Sequence, residues 1–320
     1  MIRELLILRH GKSEWDAYTN DLDRPLTDGG KRSAQRIGTW LMRKRLVPDH
    51  VITSPAVRAL ETARKACKAM GLSSGKIIEE PGIYLASRRA MVAELEQCPE
   101  KTRRVMLVGH NPGLEDLLKY LAGSTVSVPN DDHLMHTATL ARLGMPESWR
   151  VLRAGCANLI ELVHPDTLPK LFPFPAPDGE ELRKRPAYYY SQSSVIPFRK
   201  GRNGIEILVI ASSKKKHYVV PKGIHDPGMT AEASAAKEAW EEAGVEGKVL
   251  GKRLGEYVYR KWGADCTVSV FPMRVERTIP EEEWKESHRG REWVSPSRAK
   301  SRLKQKALAP MVDELVRRYG

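Results

Sequence analysis

The 320-residue sequence predicts an α/β protein made of two domains. Strand-like and helical segments alternate along its first half, which is typical of a mainly parallel sheet. A proline-rich stretch then interrupts the chain, and a second group of strand-like segments follows around one strongly helical run. The length is sufficient for two ordinary domains. No internal repeat relates the halves, which indicates fusion and not duplication.

The first predicted domain covers residues 1–163. Short apolar runs predict its buried strands, and apolar positions spaced three or four apart predict its helices. The strands are expected at residues 5–8, 51–53, 105–108, 139–143 and 158–162, and the helices at 30–45 and 56–70.

A composition break follows at residues 164–185. Its first part, 164–177, is rich in proline, and its last part, 179–185, is charged. Because proline fixes φ and removes a hydrogen-bond donor, we expect a semi-rigid linker here, with the charged part as a short helix or a loop.

The second predicted domain covers residues 186–320. Its principal helix is expected over 230–243, since Gly244 directly after a helical run is a stop signal. A terminal helix is expected over 308–319, with Pro310 tolerated in its first turn. Strands are predicted at residues 194–198, 205–211, 217–220, 256–259 and 268–275.

Composition limits the classes of function. No apolar run reaches the ~18 residues that a transmembrane helix needs, and the N-terminus is charged too early for a signal peptide. The four cysteines form no CxxC pair, so we expect a reducing cytoplasm and neither a zinc site nor disulfides. The net charge of +13 fits an anionic small substrate, nucleic acid or a merely solvated basic surface. Without a nucleic-acid motif or a stacking platform, no nucleic-acid partner is expected.

Three predicted strand ends in the first domain carry candidate catalytic residues. Arg9 and His10 follow the first strand, Arg58 follows the strand at 51–53, and His110 and Asn111 follow the strand at 105–108. Ligand sites in open α/β sheets collect at such ends. Two arginines can clamp a phosphoryl group, while one histidine attacks phosphorus and a second stabilises charge.

This half of the chain resembles the histidine phosphatase superfamily, in particular its SixA-like branch. The resemblance implies a three-layer α/β/α domain in which His10 is the nucleophile. It also implies a phosphate pocket of Arg9, Arg58 and His110, with Asn111 at its edge. Larger relatives place a glutamate within the stretch that here reads 82–87, which contains no carboxylate. Asp21, ahead of Arg24-Pro25-Leu26, is the preferred general acid, and Asp23 lies close.

A second cluster of candidate residues lies on the predicted helix over 230–243. Glu238, Glu241 and Glu242 stand at positions i, i+3 and i+4, so the helix places the three carboxylates on one face. Their mutual repulsion would be relieved by a hard divalent cation such as Mg²⁺ or Mn²⁺.

Residues 223–245 resemble the Nudix box, a pattern that runs from a glycine to a short glutamate-rich segment. The resemblance implies an α/β/α domain with Glu238, Glu241 and Glu242 as metal ligands and with Glu241 or Glu242 polarising water. Two positions depart from the pattern. Met229 stands where the family has an outer glutamate, and Lys237 stands where it has arginine.

Basic residues outside the box indicate the substrate class. They resemble the Nudix branch that hydrolyses diphosphoinositol polyphosphates and dinucleoside polyphosphates, whose substrates suit clustered cations. The candidate substrate-binding residues are Lys214, Lys215, Lys216, His217, Lys222 and Arg260.

Three functional hypotheses follow. The leading one is a two-domain phosphohydrolase, in which the Nudix part cleaves pyrophosphate bonds of a highly phosphorylated small molecule and the other part removes phosphoryl groups through phosphohistidine. The second is a phosphohistidine protein phosphatase whose Nudix part binds a regulatory ligand. The third is a nucleotide or inositol-phosphate sensor with a degraded Nudix site, for which Met229 is the reason. The sequence gives no oligomeric state.

Overall fold

The computed structural model describes residues 3–15, 19–123, 134–202, 204–212 and 215–320. The chain divides into two compact units, Met1–Phe172 and Pro173–Gly320. This boundary falls inside the predicted linker, and the domain limits at residues 163 and 186 stay a prediction. Among the described helices, none combines the length and the apolar character needed to cross a bilayer.

The first unit alternates strands and helices and ends in two further strands. Its elements are β1 (Arg3–Arg9), α1 (Asp28–Arg43), β2 (His50–Thr53), α2 (Val57–Ala69), β3 (Ile77–Glu79), α3 (Arg88–Glu96), β4 (Arg104–Gly109), α4 (Gly113–Ala122), β5 (Leu140–Met145) and β6 (Asn158–Val163).

These strands form one six-stranded sheet in the order β3-β2-β4-β1-β5-β6. The first four are parallel to their neighbours, whereas β5 and β6 are antiparallel additions at one edge. Alternate residues of β1 point to opposite faces: Leu6 and Leu8 join a core with α1 and α2, and Leu5 and Ile7 join a core with α3 and α4. The predicted α/β class and three-layer arrangement are therefore confirmed for this unit.

The segment predicted to be a linker contains regular structure. Strands β7 (Phe172–Ala176) and β8 (Gly179–Arg183) form a two-stranded sheet, so the expectation of a helix or loop over 179–185 was wrong. The Arg183 guanidinium lies 3.3 Å from the centre of the Phe174 ring. Such cation–π packing stabilises a small sheet that has little core of its own.

The second unit is also a mixed sheet with helices. Its elements are β9 (Ser191–Gly201), β10 (Gly204–Ala211), β11 (Tyr218–Val219), β12 (Lys222–Ile224), α5 (Ala231–Ala243), β13 (Val245–Val249), β14 (Gly255–Lys261), β15 (Ala264–Thr278), β16 (Arg291–Val294), α6 (Pro296–Arg302) and α7 (Ala309–Tyr319).

Strand β9 is central to this sheet, because it pairs antiparallel with β10 and β12 and parallel with β15. Ala235, Ala239 and Ala243 of α5 pack on one face of the sheet. Residues of α6 and α7 pack on the opposite face. The unit is therefore a second α/β/α sandwich, and the predicted fold class holds for both halves.

Helix α5 has the limits that its capping residues dictate. The Thr230 side chain accepts a hydrogen bond from the Ala233 amide, and Gly244 ends the helix in the left-handed region, with φ of 59°. Both features match the preferred chemistry of helix ends. Sequence reasoning located this helix to within one residue but missed the shorter α3, α4 and α6.

Close backbone approach makes one glycine of α1 indispensable. A Cβ atom at Gly30 would lie 2.2 Å from the Lys12 carbonyl oxygen, whereas at Gly29 the nearest atom would be 3.6 Å away. The loop that follows His10 therefore rests directly on the start of α1.

We expect Gly30→Ala to destabilise the first unit by about 2 kcal/mol, since overpacking against a backbone atom cannot relax easily. Gly29→Ala is the matched control and should be neutral or stabilising by up to ~1 kcal/mol, because alanine favours the helix. Hydrogen exchange of the β1 amides in the full chain measures the opening free energy of this unit. Equal effects of the two substitutions would contradict the packing argument.

Candidate active sites

The parallel strands of the first unit end at one edge of its sheet and bring the predicted residues together. Arg9 lies opposite Gly109 in the β1–β4 register, so His10 and His110 follow next to each other, with ring centroids 5.0 Å apart. Arg58 comes from the first turn of α2, directly after β2, and is only 4% exposed. Two imidazoles and two guanidinium groups thus share one pocket.

Hydrogen bonding fixes the tautomer of His10. Its Nδ1 atom lies 2.8 Å from the Gly11 carbonyl oxygen, and because a carbonyl can only accept, Nδ1 carries the proton. Burial is the main cause that lowers the pKa of His10 to about 4; the charges of Arg58 and Arg9 add to it, and the bond to Gly11 opposes it. His10 is therefore neutral near pH 7, with its Nε2 lone pair available.

His110 has one partner and one orphaned nitrogen. Its Nε2 atom is 2.9 Å from the Ser54 hydroxyl, while its buried Nδ1 has no hydrogen-bond partner. Burial, followed by the neighbouring His10 and Arg58, lowers the pKa of His110 to about 3. An orphaned buried polar atom requires an explanation, and an anionic ligand beside the pocket would provide one.

Arg9 and Asn111 are held by the same backbone carbonyl. Arg9 Nη1 donates to the Met135 oxygen at 2.6 Å, and Asn111 Nδ2 donates to it at 3.0 Å and to Glu115 Oε1 at 2.7 Å. The buried Arg9 Nε and Asn111 Oδ1 atoms have no partner. The structure therefore brings Asn111 to the edge of the pocket, but its donors face protein.

Asp21, the preferred general acid, is bound to the Arg58 guanidinium. Arg58 Nη2 donates to its Oδ2 at 2.8 Å, the Tyr84 hydroxyl donates to the same oxygen at 2.8 Å, and Arg24 Nη1 donates to Oδ1 at 2.9 Å. Burial acts to raise the pKa of Asp21, but the bonds from Tyr84 and Arg58 outweigh it and lower the pKa to about 2. Asp21 is thus ionised at neutral pH and holds no proton to donate.

Sequence reasoning missed Tyr84, Ser54, Glu115 and Arg24. Tyr84 lies within the stretch that lacks the family's glutamate, and its ring packs edge-on against His110 at 5.7 Å. The missing carboxylate was a signal that another group fills this place, but only the fold shows which one.

We expect neither His10 nor His110 to titrate between pH 8 and pH 5. With a pKa of about 4, only about 10% of His10 would be protonated at pH 5, against nearly all of an ordinary histidine. Histidine-selective NMR on the labelled full chain, assigned with His10→Gln and His110→Gln, measures this. A midpoint near pH 6.5 for either ring would contradict the assigned desolvation.

In the second unit, α5 places its three glutamates along one side, next to β12. Glu238 lies against Gly223, where a Cβ atom would be 1.9 Å from Glu238 Oε1. A larger residue at this position would force the Glu238 carboxylate to move. Burial, followed by the charges of Glu242 and Glu241, raises the pKa of Glu238 to about 7.

Glu242 has cationic and amide partners. Its Oε1 accepts from Arg289 Nη2 at 2.8 Å, and its Oε2 accepts from the Lys222 amide at 3.0 Å. Among the described residues, no three His, Cys, Asp or Glu side chains are gathered closely enough to hold a metal ion. Glu242 thus has a guanidinium and an amide as partners, and the ligand set of Glu238, Glu241 and Glu242 stays a prediction. The donor set nevertheless fits a hard cation, since buried, mutually repelling carboxylates need positive charge.

Lys237 and Met229, the two departures from the box, are linked through Asp226. Lys237 Nζ lies 2.6 Å from Asp226 Oδ2 and 4.0 Å from Glu241 Oε1. Asp226 is 5% exposed, and its carbonyl accepts from the Met229 amide at 3.1 Å. A buried carboxylate three residues before Met229 thus pairs with the lysine of α5.

The predicted substrate-binding residues occupy different places. Lys222 Nζ donates to Gln192 at 3.1 Å and to the Tyr259 hydroxyl at 3.2 Å, neither of which sequence reasoning identified. A cavity of about 180 Å³ lies beside this group, and its lining includes Lys222, His217, Tyr257, Tyr259 and Lys304.

Among the described residues, Lys215, Lys216 and Arg260 do not line this cavity. Lys215 and Lys216 are exposed on the preceding turn, and Arg260 is exposed on β14. Lys214 lies outside the described residues. Of the basic residues proposed for the substrate, His217 and Lys222 therefore line this cavity.

We expect Asp226→Asn to weaken binding of Mn²⁺ to the full chain on the order of tenfold, since groups that orient metal ligands typically contribute this much. The amide would leave Lys237 free to neutralise Glu241. Glu232→Gln is the matched control, because Glu232 is exposed in the first turn of the same helix. Titration calorimetry with Mn²⁺ measures the affinity, and equal affinities of the two variants would contradict the role of Asp226.

Comparison with known families separates the two units in the same way. Residues 5–83 match the family model of the histidine phosphatase superfamily (branch 1). Residues 191–315 match the NUDIX domain model. Both families comprise hydrolases of phosphate esters and anhydrides.

Relatives match parts of the chain. An uncharacterised chloroplastic protein of Arabidopsis thaliana is 27% identical over 176 residues, which cover 52% of this chain and 79% of the relative. An uncharacterised protein of Mycobacterium tuberculosis is 28% identical over 166 residues, which cover 48% of this chain and 96% of that protein. A 2,3-bisphosphoglycerate-dependent phosphoglycerate mutase of Bifidobacterium longum is 42% identical over 72 residues, which cover 22% of this chain and 29% of the mutase.

Two solved structures are similar in part. The protein histidine phosphatase SixA complexed with tungstate has a TM-score of 0.44 at 23% identity, over 51% of this chain and 97% of that one. The Ap4A hydrolase of C. elegans has a TM-score of 0.33 at 19% identity, over 39% of this chain and 94% of the hydrolase. The two family matches thus show that the chain joins a segment similar to histidine phosphatases to a segment similar to Nudix hydrolases, and both are families of phosphohydrolases.

Proposed function

We propose that both halves are catalytic and that they act on a highly phosphorylated small molecule. The Nudix half would cleave a pyrophosphate bond of a diphosphoinositol polyphosphate, a dinucleoside polyphosphate or a nucleoside triphosphate. The histidine phosphatase half would remove a phosphoryl group through phospho-His10. The four cysteines are free thiols, which supports a cytoplasmic location.

The hydrogen bond between His10 Nδ1 and the Gly11 carbonyl is the observation that carries the proposal for the first half. His10 Nδ1 therefore carries the proton, and Nε2 of the same ring lies in a pocket with two guanidinium groups. Nucleophilic attack at phosphorus requires such a lone pair close to positive charge.

The transfer can be written as two displacements. In the first, Nε2 of His10 forms a bond to phosphorus, the bond from phosphorus to the leaving oxygen or nitrogen breaks, and that atom departs with the electron pair. In the second, water attacks phosphorus, the P–N bond breaks, and one proton of the water goes to a base. Arg9 and Arg58 would hold the phosphoryl oxygens throughout, and His110 would donate from Nδ1.

The state of Asp21 restricts the leaving group. Because Asp21 is ionised, the first displacement has no carboxylic proton to use, and groups that leave as stable anions or amines are favoured. Phosphoric anhydrides and phosphohistidine meet this condition better than alkyl phosphates. The Asp21 carboxylate is instead suited to accept the proton in the second displacement.

In the Nudix half, Glu238, Glu241 and Glu242 would hold Mg²⁺ or Mn²⁺. When bound, the ion supplies positive charge that neutralises phosphate oxygens. Glu241 or Glu242 would take a proton from the attacking water. Lys222, whose amide donates to Glu242, lines a cavity together with His217, and both would bind further phosphates.

We expect His10→Ala and Glu241→Gln in the full chain to remove different activities. His10→Ala should abolish release of terminal phosphate, and Glu241→Gln should slow cleavage of the pyrophosphate bond by at least about 100-fold, a usual effect of losing an acid–base group. The panel comprises diphosphoinositol polyphosphates, diadenosine polyphosphates and nucleoside triphosphates, with Mg²⁺ present and products identified. Retention of full activity on every substrate by both variants would overturn the assignment.

One observation favours a second candidate function. The α5 carboxylates are not gathered, and Arg289 occupies Glu242, so the Nudix half can serve as a regulatory binding module for a phosphohistidine protein phosphatase. In that case Glu241→Gln would leave all hydrolysis unchanged, while His10→Ala would abolish dephosphorylation of a phosphohistidine protein.

A further inference from the structure

Asp21, the residue at the predicted general acid position of the first unit, is bound to Arg58 in a way that the proposed chemistry does not explain. Arg58 is 4% exposed, yet both ends of its guanidinium are occupied by one residue: Nη1 donates to the Asp21 carbonyl at 2.5 Å and Nη2 to its carboxylate at 2.8 Å. A phosphoryl group that used Arg58 would need the same donors, since a guanidinium binds planar pairs of oxygens through this fork.

The carboxylate is held in that place from other sides as well. Tyr84 donates to Oδ2 at 2.8 Å, Arg24 donates to Oδ1 at 2.9 Å, and the side chain of Asp21 is 44% exposed. It therefore has room to move outward, whereas the buried Arg58 does not. Tyr84 also lies edge-on to His110, so its hydroxyl connects the carboxylate to the rings that surround the reacting atoms.

We propose that Asp21 is bound to Arg58 at the position that a phosphoryl group of the substrate would take. An incoming phosphoryl group would then displace Asp21 from Arg58. Tyr84 is the positioning residue that holds Asp21 there and keeps it near the reaction after displacement. The inference rests on the proposed phosphatase function of this half. Once separated from Arg58, the carboxylate loses its strongest cation and becomes a better proton acceptor. Substrate binding thus prepares the group that takes the proton from water when the P–N bond is broken.

Asp21 and Asp23 provide a matched pair for the test. Both belong to the same short turn, Asp21–Asp23, so Asp21→Asn and Asp23→Asn remove the same charge two residues apart. Inorganic phosphate serves as the binding probe, with its affinity for the full chain measured by titration calorimetry. Turnover and acid-labile phosphate on His10 are measured with p-nitrophenyl phosphate.

We expect Asp21→Asn to tighten binding of phosphate about tenfold, because a charge-assisted competitor is removed, and to slow turnover. Asp23→Asn should change neither quantity by more than about twofold, the effect of a screened surface charge. Tyr84→Phe should tighten phosphate binding about threefold without changing charge, as one hydrogen bond to Asp21 is lost, and should slow loss of phosphate from phospho-His10.

Equal tightening by the two asparagine variants would show a general charge effect and overturn the proposal, and so would unchanged phosphate affinity in Tyr84→Phe. The proposed function fails separately: it would be sunk by turnover that persists in His10→Ala, or by a wild-type protein that forms no phospho-His10, whatever the phosphate affinities are.

Discussion

Burial of charged side chains is the constraint on which both sites depend. Removing a guanidinium or a carboxylate from water is costly unless partners offset the loss. In the first unit, Arg58 forms a salt bridge with Asp21. In the second, Lys237 forms one with Asp226, and Arg289 forms one with Glu242. The contacts around each site are therefore mainly arrangements that keep charge in place until a phosphorylated ligand arrives.

The two sites differ in how closely their charged and polar side chains are already gathered. In the first, two guanidinium groups and two imidazoles already lie close together, and Arg9 Nε and His110 Nδ1 are buried without a hydrogen-bond partner. In the second, three carboxylates face the same side of α5, but one of them is paired away from the others. The imidazoles and guanidinium groups of the first site are thus already close together, although Asp21 occupies the Arg58 guanidinium, whereas in the second site Glu242 is bound to Arg289 and to the Lys222 amide.

The sequence was sufficient for those features that follow from periodicity and chain order. Parallel strands end at one edge of a sheet, so the sequence predicted that His10, Arg58 and His110 lie close together. The spacing of the α5 glutamates likewise predicted that they lie on one face of the helix. Tyr84 and Asp226 could not be found in this way, since their partners are 63 residues and 11 residues distant and no periodic pattern connects them. The strands at Phe172–Ala176 and Gly179–Arg183 were not predicted because proline indicates a linker, although it is tolerated on edge strands.

If His10 carries the phosphoryl group as proposed, its hydrogen bond to Gly11 would also decide which isomer of phosphohistidine forms. With Nδ1 committed to a backbone carbonyl, a phosphoryl group would be attached at Nε2, giving the tele isomer and not the pros isomer. The backbone of a single glycine thereby selects the regiochemistry of the covalent form. That form would differ from its isomer in chemical lability and in recognition by isomer-specific reagents, independently of which substrate delivered the phosphoryl group.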